Sequence, residues 1–323
     1  MRKNALTICC FVCAFGAFGA FFRWLQNQIC VDTATGVQKP GMLNVLVPLI
    51  IIAAAVVFWF LVRKKMETCV FASNMYETFR GTTPVFKVVS WVIGCIIILG
   101  GIVTWAGTRL DVQAKAFTFI SVMAIITGAT FPSICATAKK HFPPGLISAF
   151  STMPILMFTF WLIACYMRNS SVPNVWSYGI EIVAVCAVIT AFYYIAGYSF
   201  GIPRPFAGLY SGMLAAFLCI MLLADSRYFG QKMIIIGTAA MLLMYCWMIV
   251  GNMRDAVVSA DSASKAAAAA IAAKPADEEK QPASDDAPVI SAGAEINLDE
   301  PTIEAPAYKP ESIEDMVNDI KNM

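Results

Sequence analysis

Glu181 is the only carboxylate that the sequence sets inside a long apolar run, roughly one to two helical turns below Trp176. A charge held in hydrocarbon costs several kcal/mol unless it meets water or a partner, so such a residue either marks a polar pathway or reaches up to the headgroups. Tyr178, Tyr193, Tyr194 and Tyr198 on the same run offer hydroxyls to a polar lining or rings to apolar packing. Pro132 and Pro154 lie at similar depth on either side of the turn His141 to Pro144. Each proline removes a backbone donor and frees a carbonyl, which a hydroxyl, water or solute can engage. Interrupted spans in matching positions point to transporter sites, and they also serve simply as kinks. Glu181, Pro132 and Pro154 are therefore the candidate pathway residues.

Other chemistry has little to work with. The one histidine, His141, sits in the basic turn Lys139-Lys140-His141, so a His-rich metal centre is excluded. No nucleophile elbow or phosphate loop occurs. Of the eleven cysteines, Cys10 and Cys13 have redox spacing, but Phe11, Val12 and Ala14 around them supply nothing to activate a thiol. No catalytic residue, metal or cofactor is expected, and the chain is not expected to be an enzyme.

The elements that must position these residues are spans of a bilayer. A hydrocarbon core about 30 Å thick takes about 20 helical residues to cross. Runs of that length cover Ala5 to Phe22, Leu43 to Val62, Val88 to Ala106, Ala116 to Ala136, Leu146 to Cys165, Val175 to Tyr198, Phe206 to Leu223 and Met233 to Val250. They do not alternate as barrel strands would, so the fold class is all-α: a polytopic membrane helix bundle of about eight transmembrane helices. Composition agrees, with 59% hydrophobic and 14% charged residues. The tryptophans fall near span ends, where amphipathic rings settle at headgroup depth. Lys and Arg on alternate loops put the N- and C-termini in the cytoplasm, with the cluster Arg63-Lys64-Lys65 carrying much of the bias. The expected location is the plasma membrane, and the compact loops point to a bacterial source.

The net charge of +2 hides a division. Residues 1–253 hold 17 Lys and Arg against 6 Asp and Glu, whereas residues 254–323 hold 6 against 15. The first segment is the eight-span domain. The second is an acidic cytosolic tail, Pro-rich and Ala-rich over much of its length, with the composition of a disordered segment. Near its end Ile313, Met316, Val317 and Ile320 recur on one helical face, a short amphipathic stripe fit to dock a cytosolic protein in the helix-in-groove manner. Small residues four apart let helices approach closely, as at Gly208, Gly212 and Ala216, at Gly197 with Gly201, and at Gly16 with Ala20. The first stripe serves bundle packing or a homodimer. Two functions stay open: a noncatalytic scaffold, sensor or assembly factor that recruits a partner through the tail, and a small-solute permease using Glu181 and the kinked fourth and fifth spans. The bilayer is the common partner, and no nucleic acid is expected.

Overall fold

The computed structural model describes residues 2–30, 39, 41–70, 75–79, 84–108, 116–136, 144–169 and 176–255. In chain order the elements are α1 (Arg2–Ile29), α2 (Met42–Thr68), β1 (Cys69–Val70), α3 (Met75–Thr78), α4 (Pro84–Thr108), α5 (Ala116–Ala136), α6 (Pro144–Asn169), α7 (Trp176–Gly197), α8 (Pro205–Leu222), α9 (Phe229–Gly251) and β2 (Arg254–Asp255). Each of the eight expected spans coincides with one long helix to within a residue or lies inside it. Seven of these helices are long and apolar enough to cross a membrane, and α5 contributes a shorter apolar stretch, Phe117–Pro132. The protein is a multi-pass membrane helix bundle. The acidic stretch beyond Asp255, with Ile313, Met316, Val317 and Ile320, lies outside the described residues, as does His141.

Proline opens α4, α6 and α8, where a missing N–H is no loss and its φ suits a helix start. Helices α4 to α9 close a ring in which each touches the next and α9 returns to α4. α1 lies against α8 and α9, and α2 against α1 and α8. α8 and α9 are the central helices: 67% and 72% of their apolar windows are buried, against 28% for α1 and α2.

In lipid, contact depends on how closely backbones approach. A Cβ built on Gly94 of α4 would lie 2.5 Å from the Gly128 carbonyl of α5, and one on Gly128 would lie 2.6 Å from the Gly94 carbonyl. Gly100 meets α9 in the same way, 2.9 Å from the Ile234 nitrogen. Gly212 of α8 faces the Cys246 sulfur at 2.8 Å, and Gly208 faces Tyr194 and Tyr198. With Ala216 fully buried, the Gly208, Gly212 and Ala216 stripe is taken up by packing within the chain. Gly201 differs from the packing role expected of it. Its φ of +76° lies in the left-handed region and nothing approaches its open side, so it makes the turn between α7 and α8.

The interior is filled by rings. Phe117 of α5 meets Trp161 of α6 edge-on at 6.2 Å; Trp161 stacks on Phe158, Phe158 on Phe192 of α7, and Phe192 meets Tyr245 of α9. Phe131 joins Tyr245 from α5. At the end where α7 finishes, Phe79, just after α3, sits 5.3 Å from both Tyr198 and Tyr245. A second cluster, Phe15, Phe58 and Phe217, holds α1, α2 and α8 together.

Gly128→Val should lower the unfolding midpoint in detergent, with a loss of about 1–3 kcal/mol from overpacking against backbone that cannot move aside. Gly145→Ala and Gly179→Ala, whose added methyl groups meet nothing within 4 Å, should leave it unchanged. Equal effects at all three positions would remove close backbone approach as the packing device.

Candidate functional site

The buried face of α1 recurs at helical spacing through Ala5, Cys9, Val12, Gly16, Gly19, Arg23 and Gln26. The stripe that is apolar along most of the helix thus ends in a guanidinium and an amide turned into the protein. Their partners come from far along the chain. Arg23 Nε donates to Asp225 Oδ1 at 2.8 Å, and Arg23 Nη1 donates to Gln26 Oε1 at 2.9 Å. Gln26 Nε2 donates to Asn44 Oδ1 of α2 at 2.9 Å, and Asn44 Nδ2 donates to the Lys39 carbonyl at 2.8 Å. Asn27 Nδ2 donates to Asp225 Oδ1 at 3.1 Å.

Asp225 and Arg227 occupy the short turn between α8 and α9. Successive backbone bonds from Leu223, Ala224 and Asp225 back to Ile220, Met221 and Leu222 wind the end of α8 tightly and set this turn. Arg227 Nη2 donates to Asp225 Oδ2 at 3.2 Å, and Arg227 Nη1 reaches Glu181 Oε1 of α7 at 2.6 Å. The same Glu181 oxygen accepts from Trp161 Nε1 of α6 at 2.8 Å. One chain of hydrogen bonds therefore ties α6, α7, the turn between α8 and α9, α1 and α2 at a single end of the bundle.

Burial makes this arrangement obligatory. The side chains of Arg23, Glu181, Asp225 and Arg227 are 4%, 10%, 12% and 6% exposed. An unpaired charge at such a site costs several kcal/mol, whereas two guanidinium groups and two carboxylates cancel. For Arg227, burial works against the charge, but Glu181 and Asp225 outweigh it and hold the guanidinium above its ordinary pKa. Both carboxylates are engaged by guanidinium groups, and among the described residues no group of three or more His, Cys, Asp or Glu is placed to hold a metal.

The three candidate pathway residues do not converge. Glu181 is bound to Arg227 and Trp161. Pro154 lies seven residues before Trp161 on α6, about 10 Å along the helix. Pro132 packs against the α4 crossing, where its Cγ would be 3.2 Å from a Cβ on Gly94, and the carbonyl it frees is that of Gly128, set against the same glycine. Both α5 and α6 continue through their prolines. Near Pro154, Ser151 and Ser148 bond instead to Ser199 beyond α7. Of the four tyrosines, Tyr193 faces outward, while Tyr198 is buried with its hydroxyl unpartnered. Trp161 is 1% exposed, packed against Phe117 and Phe158 with its N–H donated to Glu181, so its ring faces the bundle interior.

Arg23, Asp225 and Arg227 escape a reading of the sequence because each stands beside a span end, where a charge passes for a loop residue. One signal was present: Arg23 and Gln26 continue the small and apolar face of α1 at i+4 and i+7 from Gly19.

Arg227→Met leaves two carboxylates facing Arg23 alone and should destabilise the bundle by about 3–5 kcal/mol, measured by chemical unfolding in detergent. Adding Glu181→Leu restores one carboxylate to one guanidinium and should recover most of that loss. Additive losses in the double variant would show that the two side chains do not act as a pair.

No protein-family model matches the chain, and no curated protein or solved structure matches it.

Proposed function

We propose that the protein is a noncatalytic scaffold, sensor or assembly factor of the plasma membrane that recruits a cytosolic partner through its tail. The observation that carries this reading is the state of Glu181. Its carboxylate is consumed by Arg227 and Trp161, and behind it the buried rings from Trp161 to Tyr245 occupy the space between α5, α6, α7 and α9. A pathway would instead present carboxylate and hydroxyls to water. The acidic tail supplies the recruiting element, with Ile313, Met316, Val317 and Ile320 as the docking stripe. The permease reading requires the Glu181 and Arg227 pair to open during transport.

Positive charge orients the bundle with the Arg23 end outward and both termini in the cytoplasm. In intact cells Lys39→Cys should then react with an impermeant thiol reagent, and Lys64→Cys, exposed at the other end of α2, should react only after the membrane is opened. The reverse pattern would invert the protein.

Replacing Ile313, Met316, Val317 and Ile320 together by Asp should remove a specific co-purifying cytosolic protein and leave insertion intact. The companion measurement is solute flux in vesicles, expected to be absent across a broad panel. Flux that disappears in Glu181→Gln would overturn the scaffold in favour of the permease, and an unchanged set of co-purifying proteins would remove the tail as its docking element.

A further inference from the structure

Helices α4 and α9 meet closely along only part of their length. A Cβ on Gly100 would lie 2.9 Å from the Ile234 nitrogen, and one on Gly237 would run into Ile97, so this crossing leaves no room for a side chain. Toward the Tyr198 end the facing residues are Phe86 and Trp247, whose rings meet edge-on at 6.2 Å, and the helices splay. α1 packs on α9 from the other side, with Cys9 Sγ donating to the Leu243 carbonyl at 3.6 Å. α9 thus floors a groove of about 540 Å³ walled by α4 and α1. Val89 and Ile93, Ala240, Met244 and Trp247, and Cys9 are among its lining, and no lining residue carries a charge. Val85 and Val89 on the α4 wall are 64% and 41% exposed, so the groove opens sideways, away from the bundle interior. It runs from Phe86 to Ile93 on α4 and from Trp247 to Ala240 on α9, seven residues or about 10 Å, beginning in the first turn of α4. That places it within one leaflet, whose hydrocarbon is about 15 Å deep, half the bilayer core.

We propose that this groove holds one acyl chain of a phospholipid, with the phosphate at the level of Trp247. The wall is polar only where a headgroup would lie. Trp247 Cδ1 and Nε1 stand 3.7 and 4.0 Å from a Cβ built on Gly251, so the polar edge of the indole lies toward the end of α9. Among the described residues no acceptor meets that N–H. Lys87, exposed in the first turn of α4 beside Phe86, adds a positive charge at the same depth, which attracts an anionic headgroup. Deeper in, the lining is branched aliphatic side chains and the pliable Met244, surfaces that fit hydrocarbon of any bend. The nine residues that line the groove are too few for a second copy of the chain, since a stable interface engages about 20–30 residues a side.

The test uses the full-length chain, stripped of lipid in detergent and titrated with dioleoylphosphatidylglycerol, with bound lipid counted by native mass spectrometry. The wild type should take up one lipid ahead of any other. Ala240→Phe and Val89→Phe, which fill the groove from its floor and from one wall, should each abolish that first site. Val88→Phe, on the exposed side of α4 outside the groove, should leave it unchanged. Trp247→Phe keeps the ring and removes the donor, and should weaken the first site by roughly tenfold, the loss of one hydrogen bond to a charged group. All four variants should keep the wild-type unfolding midpoint. No preferred first lipid in the wild type, or a first lipid that survives both filling variants, would overturn the proposal. A lipid-free dimer that both filling variants convert to monomer would also overturn it and assign the groove to a second copy.

Discussion

Two guanidinium groups and two carboxylates that have left water must cancel, and the rest of this bundle is arranged around that requirement. A helix in lipid gains little from hydrophobic exclusion, so its rotation about its own axis is weakly specified by apolar contact. Arg23 removes that freedom. Slipping α1 by one residue turns its faces by about 100° and would direct the guanidinium at hydrocarbon in place of Asp225. The same condition applies to α7 through Glu181 and to the turn between α8 and α9 through Asp225 and Arg227. The network therefore acts less as a source of net stability than as a filter against other packings. Buried ion pairs often contribute little over an apolar replacement, but a lone member of a pair is strongly unfavourable.

Packing supplies what the network cannot. The glycine crossings bring α4 against α5 and α9 at backbone distance, and the buried rings fill the space between α5, α6, α7 and α9. The two devices meet in one residue. Trp161 is a member of the ring stack and, through its N–H, a donor to Glu181. An indole has an apolar body and a single polar tip, so it can close an apolar core against a charged end without leaving either unsatisfied.

The helices were legible because apolar length is a local property: eight runs in the sequence become eight long helices. α1 shows where local reading stops. Its expected span ends at Phe22, before the first charge, yet the helix continues to Ile29 with Arg23 and Gln26 buried. What makes that extension possible is Asp225, 202 residues away, and no window of sequence contains both. Glu181 was recognisable as unusual for the same reason that its role was not: its position in an apolar run is local, and its partner Arg227 is not. The Gly94 and Gly128 crossing was missed although Ala124 and Gly128 stand four apart on α5, because spacing along one helix does not say which helix it meets. The contact is made by one glycine from each side.

The two ends of the bundle are closed by different chemistry, and this bears on how the tail is attached. At the Tyr198 end, beyond α9, Asn252 Nδ2 donates to the Thr78 carbonyl at 2.7 Å, and Arg254 and Asp255 pair antiparallel with Val70 and Cys69. These are neutral bonds made largely by backbone, and they join the root of the tail to the connection between α2 and α3. That connection leads directly to Phe79, whose ring lies between Tyr198 and Tyr245. The strand pair at Asp255 is thus linked to α3 and the core aromatics without passing through an ion pair. The charged network at the opposite end is insulated from it by the length of α9, 23 residues or about 34 Å. The bundle is thus held by neutral, largely backbone bonds at the Tyr198 end and by paired charges at the Arg23 end, each suited to the groups its own segment leaves without helical partners.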